Sequence, residues 1–152
     1  YEGGVNVPLI IAGPIVKKGG REVFSLVHST DIFSTVLELA GVDQDTLHAN
    51  ESIDGISLVP YLTNPRQKSL RKYVFSELFA PNGNWHSKET HTLRNNRYKL
   101  IRFGLQAPYT LELYDLGLDP FETNNLMGPA MSSSAQTAFR RLQAELDRLL
   151  AS

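Results

Sequence analysis

The sequence predicts an α+β chain: a small antiparallel sheet of about four strands packed by a long C-terminal helix. Three observations carry this. Short apolar, alternating segments crowd the back half, at Tyr73–Leu78, His91–Leu93, Tyr98–Phe103 and Leu111–Leu116, separated by polar turns. The last twenty residues place Phe139, Leu142, Leu146 and Leu149 on one helical face, with Arg140, Arg141, Glu145 and Arg148 on the other. The segments do not alternate as a βαβ series, so the back half is not a parallel sheet.

Taken in order, residues 7–12 read as a buried strand, apolar and rich in β-branched residues, closed by Gly13-Pro14. Lys17 to Arg21 is a polar turn, and Glu22–Val27 a second extended piece. Ser29 or Thr30 caps a helix with Asp31 in its first turn. Its apolar side is Ile32, Phe33, Val36, Leu37, Leu39 and Ala40, and Gly41 sits where a terminating glycine belongs. A polar loop over 43–55 leads into a short helix at Ser57–Leu62, which Asn64-Pro65 ends. Residues 80–89 are a loop. Asn95-Asn96, tolerant of positive φ, make the turn of a hairpin. Asp119-Pro120 starts another turn, and Ser132-Ser133-Ser134 leads into the last helix.

Composition narrows the function. With 152 residues, 41% hydrophobic and 20% charged, the chain can bury a core and is globular. A formal net charge of −1 gives nucleic acid or an anionic membrane surface no bulk attraction. No apolar run approaches the roughly 20 residues that span a bilayer. The absence of cysteine removes disulfides, thiolate metal sites and a cysteine nucleophile from this chain.

Six short motifs, in order, carry a family resemblance. They are Tyr1-Glu2-Gly3-Gly4 with Pro8, His28 to Gly41, Asp54-Gly55-Ile56-Ser57-Leu58, Tyr98-Lys99-Leu100, Glu112 to Leu116, and Asp119-Pro120 with Glu122 and Asn125-Leu126. Together they resemble the C-terminal portion of the sulfatases, arylsulfatase-like members of the alkaline-phosphatase-like superfamily. Ser34 stands where the family commonly has proline. The resemblance implies that residues 1–62 are the last strand and helix elements of a large α/β domain. Residues 63–152 would be the small antiparallel-sheet subdomain with its helix. It also implies a chain that starts inside a fold, with an N-terminal catalytic portion as its missing partner.

Sulfatase chemistry needs a formylglycine nucleophile made from Cys or Ser in a Cys/Ser-x-Pro-x-Arg motif, and a divalent cation, usually Ca²⁺ on oxygen ligands. Neither is placed here. Thr63-Asn64-Pro65-Arg66 has the wrong first residue and spacing, and Asp43 and Asp45 lack convergent partners. No catalytic or metal-binding residue is therefore assigned to this chain. The parent is expected to cleave sulfate esters of a small molecule or glycan, and the chain alone to be inactive.

The candidate substrate-binding surface is the loop carrying Trp85, His86 and Lys88, with His91 just beyond. An aromatic ring, imidazoles and an ammonium can grip a sulfated sugar; the bland counterpart is a solvated loop with Trp85 tucked onto the sheet. His86 and His91 lack the spacing and third ligand of a metal site. His28 reads as structural and His48 as solvated. Glu2 reads as an acceptor for turn amides beside Gly3-Gly4, and Asp115 and Asp119 as turn chemistry. Asn50-Glu51-Ser52 is formally a glycosylation sequon. If residues 1–62 lack their partner domain, Leu9, Ile11, Phe33 and Leu37 are exposed and favour homodimerisation or domain swapping. Two alternatives stay open: a related phosphodiesterase or phosphonate hydrolase, and a stand-alone binding domain.

Overall fold

The computed structural model describes residues 1–42, 53–81 and 87–151. The contacts divide the chain into two units, residues 1–7 with 73–152, and residues 8–72. The sequence draws its line at 62/63; the contacts draw it at 72/73 and group the first seven residues with the sheet.

The sheet unit has four strands, β1 (Val74–Ala80), β2 (Lys88–Arg94), β3 (Tyr98–Phe103) and β4 (Thr110–Asp115). They form a meander in sequence order, antiparallel throughout. The predicted sheet is therefore present, with strand ends shifted by a few residues. In the β2–β3 hairpin neither asparagine takes positive φ. Asn95 acts through its side chain instead: Oδ1 accepts the amides of Arg97 (2.8 Å) and Tyr98 (2.7 Å).

One face of the sheet packs on the C-terminal helix Ser133–Leu150. Ser132 caps it, Oγ accepting the Ala135 amide at 3.3 Å. Ala135, Ala138, Leu142 and Leu146 are buried against Leu93, Tyr98, Leu100 and Leu113, with Phe139 and Leu149 at the margin. The two alanines let the helix approach the sheet closely, a detail the leucine stripe alone does not show. The segment after β4 is stitched to it by Asn125, whose Oδ1 accepts the Leu113 and Met127 amides at 3.0 Å each.

The opposite face of the sheet receives the chain's first residues. α1 (Glu2–Val5) is a single turn. Tyr1 meets Tyr114 edge-on at 6.2 Å, and both hydroxyls donate to Glu112 Oε2 at 2.9 Å.

In the second unit, α2 (Thr30–Leu39) ends as predicted. Gly41 has φ 72°, its amide reaches Glu38 O, and Val42 N reaches Leu37 O, each at 3.0 Å. That is the paired hydrogen bonding of a glycine-terminated helix. α3 (Val59–Thr63) follows, with Pro60 in its first turn.

Two expectations fail in this unit. Residues 7–12 form no strand: they have no ladder partner among the described residues, and Ile10 is 89% exposed. Residues 22–27 likewise join no sheet, and Phe24 is 89% exposed. A strand needs a neighbour's amides and carbonyls, and apolar composition cannot supply them. The apolar side of α2 faces outward, and Leu9 and Ile11 are exposed with it, the exposure expected when residues 1–62 stand alone. Asp31, Ser34 and Thr35 are buried, while Ile32, Phe33, Val36 and Leu39 are exposed.

The inward face of α2 is polar because it holds the 54–58 segment. Asp31 accepts the amides of His28 (Oδ2) and Ile56 (Oδ1), each at 2.8 Å, and a two-pronged pair from Arg71. Thr35 Oγ1 donates to Asp31 O at 2.6 Å and accepts Leu58 N at 2.8 Å. Burial pushes the Asp31 carboxyl up, but Arg71 and the two amides outweigh it and hold it below the ordinary aspartate value.

Candidate functional site

Of the four residues predicted to meet substrate, Trp85 and His86 lie outside the described residues. Lys88 opens β2, exposed and opposite Ala80. His91 sits inside β2 and is 2% exposed. Its ring stacks on Phe75 at 6.0 Å and meets the edge of Phe79 at 6.4 Å. Nε2 lies 2.8 Å from Glu89 Oε1 and 3.9 Å from Glu77 Oε2. Burial pulls its pKa below the free-histidine value; Glu89 and Glu77 work against that, and Arg102 with it. His91 is thus a packed residue of the strand to which the sequence assigns it.

The residues that converge are ones the sequence reading treated as turn chemistry, or as plain strand. Lys99, in the middle of β3, is 1% exposed. Strand alternation turns Leu100 toward the C-terminal helix and Lys99 toward the face that carries residues 1–5. There Lys99 Nζ lies 3.0 Å from Glu2 Oε1 and 2.9 Å from Glu122 Oε1. Arg94, paired across the strands with Lys99, binds the other Glu2 oxygen. The Glu2 backbone amide donates to Glu122 Oε2. Two carboxylates and two cations form one formally neutral, largely buried cluster.

Three of the four members come from separate motifs: Glu2 from Tyr-Glu-Gly-Gly, Lys99 from Tyr-Lys-Leu, Glu122 from the Asp-Pro-x-Glu turn. The turn is shaped by Asp119, whose carboxylate accepts the Asn124 amide at 2.8 Å and the Thr123 hydroxyl at 3.0 Å. Glu2 therefore does not serve Gly3-Gly4 amides as the sequence suggested; its carboxylate is taken by cations across the sheet. The available signal was a lysine set among apolar residues in a strand, Tyr98-Lys99-Leu100-Ile101, which implies a buried counter-charge.

A cavity in the sheet unit is small, about 210 Å³, lined by Arg97, Tyr98, Asp115, Asp119, Asn124 and Ser132 among others. Arg97 already makes a forked pair with Asp115, Nε–Oδ1 2.9 Å and Nη2–Oδ2 2.7 Å. It offers less room than ordinary ligand sites. Among the described residues no three His, Asp or Glu side chains converge as a metal cage, and the chain contains no cysteine. The residues present do not fit the Ca²⁺ and formylglycine that the resemblance implies for an intact enzyme.

Comparison with known proteins gives these features their family. Residues 1–151 match the family model described as "N-sulphoglucosamine sulphohydrolase, C-terminal". Arylsulfatase K of Danio rerio is 34% identical over 157 residues, taking in 100% of this chain and 26% of that protein. A solved 2-O GAG sulfatase superposes with a TM-score of 0.67 at 29% identity, covering 88% of this chain and 28% of that one. The phosphonate monoester hydrolase of Silicibacter pomeroyi gives 0.59 at 25% identity, covering 82% and 26%. The chain spans about a quarter of the length of the relatives it matches. Its small sheet and C-terminal helix are those of alkaline-phosphatase-like enzymes, and the chain belongs to the sulfatase family as a C-terminal sulfatase domain.

Proposed function

We propose that this chain is the C-terminal part of a sulfuric ester hydrolase whose nucleophile and metal ligands are carried elsewhere in the polypeptide. The observation that carries this is the match over residues 1–151 to a C-terminal sulfatase domain, in relatives roughly four times as long. The intact enzyme would use formylglycine and Ca²⁺, neither held by residues described here. The substrate class is a sulfated glycan, a reading supported by the 2-O GAG sulfatase neighbour. Lys88, exposed beside the β1–β2 connection, with Trp85 and His86 on that connection, is proposed to form part of the substrate entrance. His91 would support that connection from within the sheet.

The exposed apolar side chains of the second unit, Ile10, Phe24, Phe33 and Val36 among them, are proposed to pack on the remainder of the enzyme. Isolated, the chain should associate through them.

The test is turnover of 4-nitrophenyl sulfate and of a 2-O-sulfated uronate disaccharide, by the 152-residue chain and by the full-length polypeptide that contains it. Turnover by the long form alone is expected. Hydrolysis by the short chain would refute the proposal. A second reading, a phosphonate ester hydrolase, is favoured by the Silicibacter pomeroyi neighbour. A full-length protein that cleaves an aryl phosphonate faster than the aryl sulfate would establish it instead.

A further inference from the structure

We infer that Lys99 is a positioning residue: with Glu2 and Glu122 it clamps the Tyr1–Val5 turn in one register on the sheet, and so keeps the reacting groups of the intact enzyme in place. The inference rests on the proposed function.

Within this chain the turn has little else to hold it. α1 is one turn long, too short to persist unaided. Gly3 and Gly4 carry no side chain, and even an added Cβ at either would meet nothing within 4 Å. Within this chain, contacts at Gly3 and Gly4 therefore do not locate the turn; the charges around Glu2 and the contacts of Tyr1 do. Glu2 is gripped by Lys99 and Arg94 through its two carboxylate oxygens, and by Glu122 at its backbone amide. Tyr1 supplies a second point, its ring on Tyr114 and its hydroxyl on Glu112. Two anchors fix rotation as well as position.

The cluster is also a poor device for stability alone. Desolvating several charges costs about as much as their attraction returns, and apolar side chains of equal volume would serve as well. What an ion cluster adds is a unique register, because any slip leaves a charge buried without its partner. Glu122 argues the same way. Its φ is 57°, a left-handed conformation that glycine or asparagine adopts more readily. The position nevertheless carries a side chain that reaches both Lys99 and the Glu2 amide. Strain accepted at such a point marks a geometric requirement.

The experiment compares wild type, Lys99→Met and the double variant Lys99→Met/Glu122→Gln in the full-length polypeptide. The single variant strands Glu122 and is expected to fold poorly. The double variant removes one charge of each sign and leaves the Glu2–Arg94 pair, so it should melt close to wild type. In it, kcat for the sulfate ester should fall roughly tenfold or more, with KM within about twofold, as expected for displaced reacting groups. Amide exchange at Gly4 and Asn6, bonded to Tyr1 O and Glu2 O, should quicken while Leu100 and Leu113 stay protected. A folded double variant with wild-type kcat and unchanged Gly4 and Asn6 exchange would overturn the clamp. So would a kcat loss accompanied by faster exchange throughout the core, which reports unfolding. A wild type that turns over no sulfate ester counts against the proposed function, while the exchange comparison still decides the clamp.

Discussion

Gly55→Ala should disrupt the second unit far more than its single methyl suggests. A Cβ at Gly55 would lie 2.4 Å from Ser34 Oγ and 2.5 Å from the Thr30 carbonyl oxygen, against 3.4 Å for ordinary contact. The serine hydroxyl is a side-chain atom that substitution removes. The carbonyl belongs to the first turn of α2, and no substitution removes it. The 54–58 segment must then withdraw by roughly 1 Å, as overpacked interiors do. That movement stretches the Ile56 amide bond to Asp31 and the Leu58 amide bond to Thr35, both 2.8 Å, out of range. Two lost hydrogen bonds at about 1 kcal/mol each, plus overpacking of about 1–2 kcal/mol, give a loss of about 3–4 kcal/mol. Urea unfolding of the 152-residue chain measures it, with Gly3→Ala, which meets nothing within 4 Å, as the control. Adding Ser34→Ala should restore less than half of the loss, because the carbonyl contact remains. A Gly55→Ala midpoint equal to that of the control, or full recovery with Ser34→Ala, would refute the steric reasoning.

Two further predictions concern pH. Asp31 is held below its ordinary value, so its contribution to stability is complete above the unfolded aspartate pKa and drains away as pH falls through the lower folded value. Asp31→Asn should therefore destabilise at pH 6 and narrow the gap from wild type toward pH 3, as followed by urea midpoints; a constant gap would contradict the assignment. His91 is also depressed, chiefly by burial, against the opposing pull of Glu89 and Glu77 and with help from Arg102. The unfolded chain then takes up the proton first, so stability is full above about pH 6.5 and declines below it. His91→Phe should flatten the melting temperature between pH 7 and pH 5, and an unchanged slope would show that another group titrates.

Elements written by neighbours in sequence were legible. The β2–β3 hairpin, the Gly41 terminus and the Ser132 cap are each fixed by residues within a few positions of one another. The sequence places His91 at the start of a strand beside a polar loop; its burial came from strand register, with Glu77 on one side and Arg102 on the other. Which face of α2 turns inward was likewise a tertiary matter. Periodicity identifies a helix but does not say which side its own unit occupies, and the Asp31–Arg71 pair decided that across 40 positions.

The sequence by itself determined the family, an antiparallel sheet of about four strands and the C-terminal helix, because motif order, turn residues and apolar period are local and additive. Only the tertiary structure decided what the motifs are for. Glu2 and Lys99 are 97 positions apart and Glu2 and Glu122 are 120, and no local rule relates them. They meet because β3 pairs in one register and turns Lys99 toward the face where residues 1–5 lie, and a buried lysine must find its carboxylates. The apolar run at 7–12 shows the converse: its composition is that of a strand, but a strand exists only where another chain segment offers its backbone.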